Sequence, residues 1–286
     1  MKKLLLVFSC IALLYTSHAQ VLYGTTFAGG ANGQGAITKL VTGTNTLSAV
    51  FTFEYPGGRY PYFSRMIQAP DGKLYGMTNQ GGSNGLGVIF SLDTSTNSYA
   101  TKKHFDGSSG ANPSGSLVRA TDNRFYGMTT SGGVNNEGVI FSFDPATGTY
   151  TKLVDFDGSM GSYPNGDLTQ AADGKLYGMT DSGGINNAGV IFSFDPLTND
   201  YARLFDFGGA NGSFPNGNLL LATNGKVYGM TNRGGFNPFG VIFSFDPQSN
   251  GYTKLYDFDG TNGSYPPRQP DAGDRWRILW FNQLWW

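Results

Sequence analysis

The chain is poor in cysteine, histidine and charge. Its single cysteine is Cys10, and its two histidines are His18 and His104. A disulfide framework and a cysteine–histidine zinc site are therefore excluded. Charged residues make up 14% of the chain, against a usual ~25%. With a formal net charge of -1, there is no electrostatic footprint for nucleic acid, no coiled coil and no acidic tail. No apolar run is long enough to span a bilayer as a helix. What is abundant is glycine, 43 of 286 residues, and aromatics at 15%. That composition suits many short strands joined by tight turns.

Residues 1–19 read as a secretory signal peptide. Lys2 and Lys3 precede an apolar stretch from Leu4 to Leu14, and Ser17-His18-Ala19 places small residues before Gln20. Cleavage before Gln20 leaves a mature chain without cysteine and with no transmembrane segment. An uncleaved anchor and lipidation at Cys10 are the alternatives. The apolar run continues past Cys10, which disfavours the second.

The dominant signal is an internal repeat. Tyr-Gly recurs at 23–24, 75–76, 126–127, 177–178 and 228–229, in steps of 52, 51, 51 and 51. Pro61, Pro113, Pro164, Pro215 and Pro266 keep the same beat. Gly-Gly follows each Tyr-Gly, and Gly-Val-Ile-Phe-Ser recurs at 87–91, 138–142, 189–193 and 240–244. Each unit contains four strand-like runs, named A to D. In one copy these are 167–171, 175–180, 189–194 and 200–207. Asp173-Gly174 and Asp195-Pro196 mark the short A–B and C–D turns. Strand C is apolar on both faces, as a strand covered on both sides must be. The expected fold is all-β, a β-propeller of four-stranded blades of about 51 residues. About five blades occupy residues 20–266, the first without strand A, so the ring is open or incomplete if the natural protein has more.

The unit Asp-Gly-Lys-Leu-Tyr-Gly-Met-Thr, Gly-Gly, Gly-Val-Ile-Phe-Ser-Phe-Asp-Pro resembles the GloVer-type tandem repeat of bacterial secreted proteins, over roughly residues 21–266. It is more distantly similar to kelch and NHL blades. The resemblance implies a secreted or surface-anchored bacterial repeat protein and brings no catalytic residues.

Residues 267–286 break the pattern and hold all four tryptophans. Tryptophan has one codon, and skipping one base turns it into a glycine codon. Trp276, Trp280, Trp285 and Trp286 lie 51 residues after Gly225, Gly229, Gly234 and Gly235. This reads as the remnant of a further repeat, shifted out of frame by one extra base near Pro266-Pro267.

The B–C and D–A loops are the long ones and share a face, which makes it the expected binding face. An aromatic precedes the proline at Tyr60, Tyr163, Phe214 and Tyr265, with Asn112 as the exception. These rings either stack on sugars or fill gaps between blades. The D–A loops carry Asp155-Phe156-Asp157-Gly158 and Asp257-Phe258-Asp259-Gly260, with His104 and Gly208 breaking the pattern in other copies. Asp155, Asp157, Asp257 and Asp259 are candidate calcium ligands; the alternative is that aspartate and glycine simply make the turn. No other cofactor is indicated. His104 reads as a chance loop residue. Asp155 and Asp206, with Asp181 and Glu137, form the carboxylate set that a polysaccharide-cleaving enzyme would need. The near-identity of the copies argues against that enzyme. The expected function is non-enzymatic recognition or adhesion toward a glycan or surface protein, with a structural surface-layer element as the alternative.

Overall fold

The computed structural model describes residues 20–61 and 64–266. The expected leader, 1–19, and the out-of-frame remnant, 267–286, lie outside the described residues.

Five antiparallel sheets follow one another along the chain, each built from consecutive strands. The first has three strands, Val21–Thr26, Ala36–Val41 and Thr46–Thr52, and lacks strand A. Blade 2 holds Ile67–Gln68, Leu74–Thr78, Val88–Asp93 and Ser98–His104. Blade 3 holds Val118–Arg119, Phe125–Thr129, Val139–Phe143 and Tyr150–Asp155. Blade 4 holds Ser162–Pro164 and Thr169–Gln170 as two parts of strand A, then Leu176–Ser182, Val190–Phe194 and Tyr201–Asp206. Blade 5 holds Ser213–Leu221, Val227–Arg233, Val241–Asp246 and Gly251–Asp257. This is the β-propeller architecture that the repeat predicts.

Strand A departs from expectation. In blade 4 it begins at Ser162, not near 167, because Pro164 already pairs with Thr180. Thr169 then pairs with Tyr177. Two extra residues sit in a bulge between these pairs. Asn165-Gly166 reads as loop in the sequence because it is this bulge.

The core lies between blades rather than inside any one. Four apolar clusters correspond to the four blade junctions. Strand C explains the arrangement. Val88, Phe90 and Leu92 face blade 1, whereas Ile89, with Tyr75 and Met77, faces blade 3. Strand C is therefore apolar on both sides. Burying each phenylalanine contributes about 1.5–3 kcal/mol.

Two recurrent features of the repeat have direct steric causes. In blades 2 to 5 the Tyr-Gly glycine lies under the strand-C phenylalanine: a Cβ at Gly127 would stand 2.6 Å from Phe141 Cζ. The glycine opening Gly-Val-Ile-Phe-Ser receives the proline of the next blade. At Gly138, φ +100, a Cβ would lie 2.3 Å from the Thr129 carbonyl oxygen and 2.7 Å from Pro164 Cδ.

The short turns are built as expected. Lys175 N–H donates to Asp173 Oδ1, and the Tyr177 hydroxyl donates to Asp173 Oδ2 at 2.8 Å. Burial, and then that bond to a carboxylate, raise the Tyr177 hydroxyl well above the ordinary tyrosine range.

Candidate functional site

The aromatic-proline position proves to be the joint between blades. Tyr60, Tyr163, Phe214 and Tyr265 all adopt left-handed backbone, with φ from 47 to 55. Each N–H donates to the B–C loop of the preceding blade, for example Tyr163 to the Glu137 carbonyl and Phe214 to the Ala188 carbonyl, both at 2.8 Å. Asn112, the sequence exception, has φ 54 and the same bond, to Leu86. Asparagine tolerates that conformation better than an aromatic does.

The rings fill gaps between blades and stay partly exposed. Tyr163 and Tyr265 are 43% and 48% exposed, whereas Tyr60 and Phe214 are half-buried. Tyr265 meets Phe239 edge-on at 5.3 Å, and the Arg233 guanidinium lies 5.9 Å from the Phe214 ring. Each ring plugs a joint and shows one side to solvent.

The aspartates divide into two structural jobs. Asp155, Asp206 and Asp257 each accept the N–H of the residue after Gly-Gly, from Val134, Ile185 and Phe236, at 2.7–2.8 Å. A strand-D cation faces each: Lys152, Arg203 and Lys254. These carboxylates clamp the B–C loop. Asp157 and Asp259 instead close their own turns. Asp157 Oδ1 accepts Met160 N–H and the Ser159 hydroxyl, both at 2.8 Å, and these bonds hold it below the usual carboxylate range. The two carboxylates of one run thus serve different partners. Among the described residues, no three His, Cys, Asp or Glu side chains are grouped to hold a metal.

His104 occupies the clamp position in blade 2, 51 residues before Asp155. Its Nδ1 accepts Ser83 N–H at 3.0 Å. The imidazole is a substitute for the clamp carboxylate rather than a chance loop residue.

Three features escaped the sequence reading. The first is the row of residues after Gly-Gly, where Val134, Ile185 and Phe236 are strongly exposed on the long-loop face. Its signal was the progression Ala31, Ser83, Val134, Ile185, Phe236 at one repeat position.

The second is a polar ladder through the strand-A bulges. Arg65, Ser116, Asp167 and Asn218 are spaced by 51. Arg65 N–H donates to Ser116 Oγ at 2.9 Å, Ser116 N–H to Asp167 Oδ1 at 2.5 Å, and Asp167 N–H to Asn218 Oδ1 at 2.7 Å. The Arg65 guanidinium reaches past Ser116 to Asp167 Oδ2 at 2.6 Å, its side chain 77% exposed and that of Asp167 only 6%. Blades two apart can touch like this only near the propeller axis, so the ladder marks the centre.

The third is a groove on the opposite, short-turn face. It encloses about 380 Å³ between blades 2 and 3, lined by Asp71, Asp122, Arg124 and Asp144 among others. Its acids make turns: Asp71 and Asp122 accept tyrosine hydroxyls, and Asp144 accepts Ala146 N–H.

The clearest difference between copies is at the mouths of the first two junctions. Between blades 1 and 2, the Phe27 and Tyr60 rings lie 5.1 Å apart at 31°, and the Arg59 guanidinium stands 5.6 Å from the Tyr60 ring. Between blades 2 and 3, the equivalent positions hold Asn79, Ala111 and Asn112. There Asn112 Nδ2 donates to the Asn79 carbonyl at 3.2 Å, and Asn79 Nδ2 to the Pro113 carbonyl at 3.1 Å.

No helix among the described residues is long and apolar enough to cross a membrane. No curated protein matches the chain. Among solved structures, TolB from Acinetobacter baumannii is similar in fold, with a TM-score of 0.51 at 17% identity. The match covers 83% of this chain and 54% of TolB, so the chain spans about half of that structure. The model of the Gloeobacter/Verrucomicrobia repeat matches residues 11–172 and 153–274. Those spans include every Tyr-Gly, Gly-Gly and proline of the repeat, and the chain belongs to the Gloeobacter/Verrucomicrobia repeat family.

Proposed function

We propose that this protein is a non-enzymatic recognition element outside a bacterial cell, and that its long-loop face binds a glycan or a surface protein. One observation carries this reading: junction interiors repeat almost unchanged, while junction mouths on that face vary and present half-exposed aromatic rings. A scaffold held constant under varied loops is the arrangement of a binding surface. The leader-like start of the sequence supports export. Asp155 and Asp206, the carboxylates a polysaccharide-cleaving role would need, are instead committed to backbone amides and neighbouring cations.

The test is a glycan array together with a pull-down from envelope extract, using the full chain. Binding that is lost on mutation of the long-loop aromatics is the expected result. Polysaccharide turnover abolished by Asp155→Asn or Asp206→Asn would overturn it in favour of an enzyme.

A further inference from the structure

We propose that the mouth between blades 1 and 2 is a sugar site that takes a neutral pyranose; this rests on the recognition role above and specifies its ligand. Tyr60 and Phe27 form a tilted aromatic pair whose Phe27 member is 45% exposed. Such a surface accepts the C–H face of a sugar ring. Beside it, Gln34 Oε1 and Arg59 Nε are buried, and neither has a partner among the described residues. The Tyr60 N–H bond to the Gln34 carbonyl, 2.9 Å, holds both groups at the same joint.

An acceptor and a donor left unpaired at one site are costly. A hydroxyl accepts one hydrogen bond and donates another, so a sugar answers both. A carboxylate would satisfy only Arg59 and would oppose the Gln34 oxygen. The next junction supplies the contrast. It has Asn79, Leu86, Ala111 and Asn112 at the same positions, and its amides are paired internally, with Ser131 Oγ also donating to Asn112 Oδ1 at 3.0 Å.

The protein therefore contains its own control. Gln34→Leu, Arg59→Ala and Tyr60→Asn together give three of the four positions of the first mouth the residues of the second, which the fold already accommodates there. The probes are neutral hexasaccharides of glucose, mannose, galactose and N-acetylglucosamine, with hexagalacturonate as the charged arm, titrated calorimetrically into the full chain. Expected is binding of a neutral hexasaccharide that weakens at least tenfold in the triple variant. Tyr60→Asn alone should weaken it in part, and Leu197→Ser, at an exposed side chain on the short-turn face, should leave it unchanged. Tighter binding of hexagalacturonate would overturn the neutral ligand. Equal binding by wild type and triple variant would overturn the location, leaving the recognition role intact. No hexasaccharide binding, alongside capture of an envelope protein, would overturn the sugar and keep recognition. Loss of every form of binding would overturn both.

Discussion

Junctions 3/4 and 4/5 bury Phe192 and Phe243 in the same manner, each edge-on to the phenylalanine of the preceding D–A loop at 5.6 and 5.2 Å. A few residues away, at the mouths, one copy presents aromatic rings above buried, unpaired polar atoms while the next closes on its own asparagines. The interior must satisfy both neighbours at once, so each residue is constrained from two sides. The mouth touches solvent on one side and is free to vary. Stability thus belongs to the repeat, and specificity to departures from it.

The largest expected effect would test whether the interiors really behave alike. Tyr99, Tyr150 and Tyr201 are driven well above the ordinary tyrosine range, chiefly by burial. Tyr75 is pushed up to about 12 by burial and by its bond to Asp71. A raised folded value means that the neutral hydroxyl is favoured in the native state. Its contribution is complete below the unfolded value of about 10 and is lost as pH rises through the folded value. Cooperative alkaline unfolding above pH ~10 is expected, with tyrosine ionisation following loss of β-sheet circular dichroism. Ionisation that precedes unfolding would show that the interiors are not sealed.

Phe141→Ala and Phe192→Ala should each cost about 3–5 kcal/mol. Their costs in urea denaturation should agree within about 1 kcal/mol if the junctions are energetically equivalent. Unequal costs would break the equivalence. Asp167→Ala should cost about 2 kcal/mol, because it strands the Ser116 amide and the Asn218 amide group near the axis. Ser116→Ala should cost about 1 kcal/mol, since the acceptor it takes from the Arg65 amide is neutral. Equal costs would show that the Arg65–Asp167 pair adds nothing to the ladder.

These contrasts also show what the sequence could reveal. The blades were legible because the Tyr-Gly, Gly-Gly and proline beats mark close contacts that recur in blades 2 to 5. Strand C declared itself by being apolar on both faces. The start of strand A did not, since its bulge uses Asn165-Gly166, the residues of an ordinary loop. The ladder was hidden for another reason: Arg65, Ser116, Asp167 and Asn218 share position but not residue type, so no motif records them. Asp155 and Asp157 looked like one motif because only Phe156 separates them, yet their oxygens serve separate segments. The aromatics before proline were found by their spacing, but their left-handed backbone became visible only in three dimensions.

That backbone yields the smallest expected effect, and one that runs against intuition. Tyr163 holds φ 54, a conformation costing an ordinary residue roughly 1–2 kcal/mol. Asparagine meets a smaller penalty, and Asn112 already occupies the equivalent position. Tyr163→Asn gives up part of a ring that is 43% exposed, so the packing lost is modest. Relief should exceed that loss, giving a net gain of about 0.5 kcal/mol in urea denaturation. Tyr163→Ala removes the same ring without relieving the backbone and should destabilise. If both variants lose stability equally, the ring is the essential element of the joint, and the mouths are as constrained as the interiors beneath them.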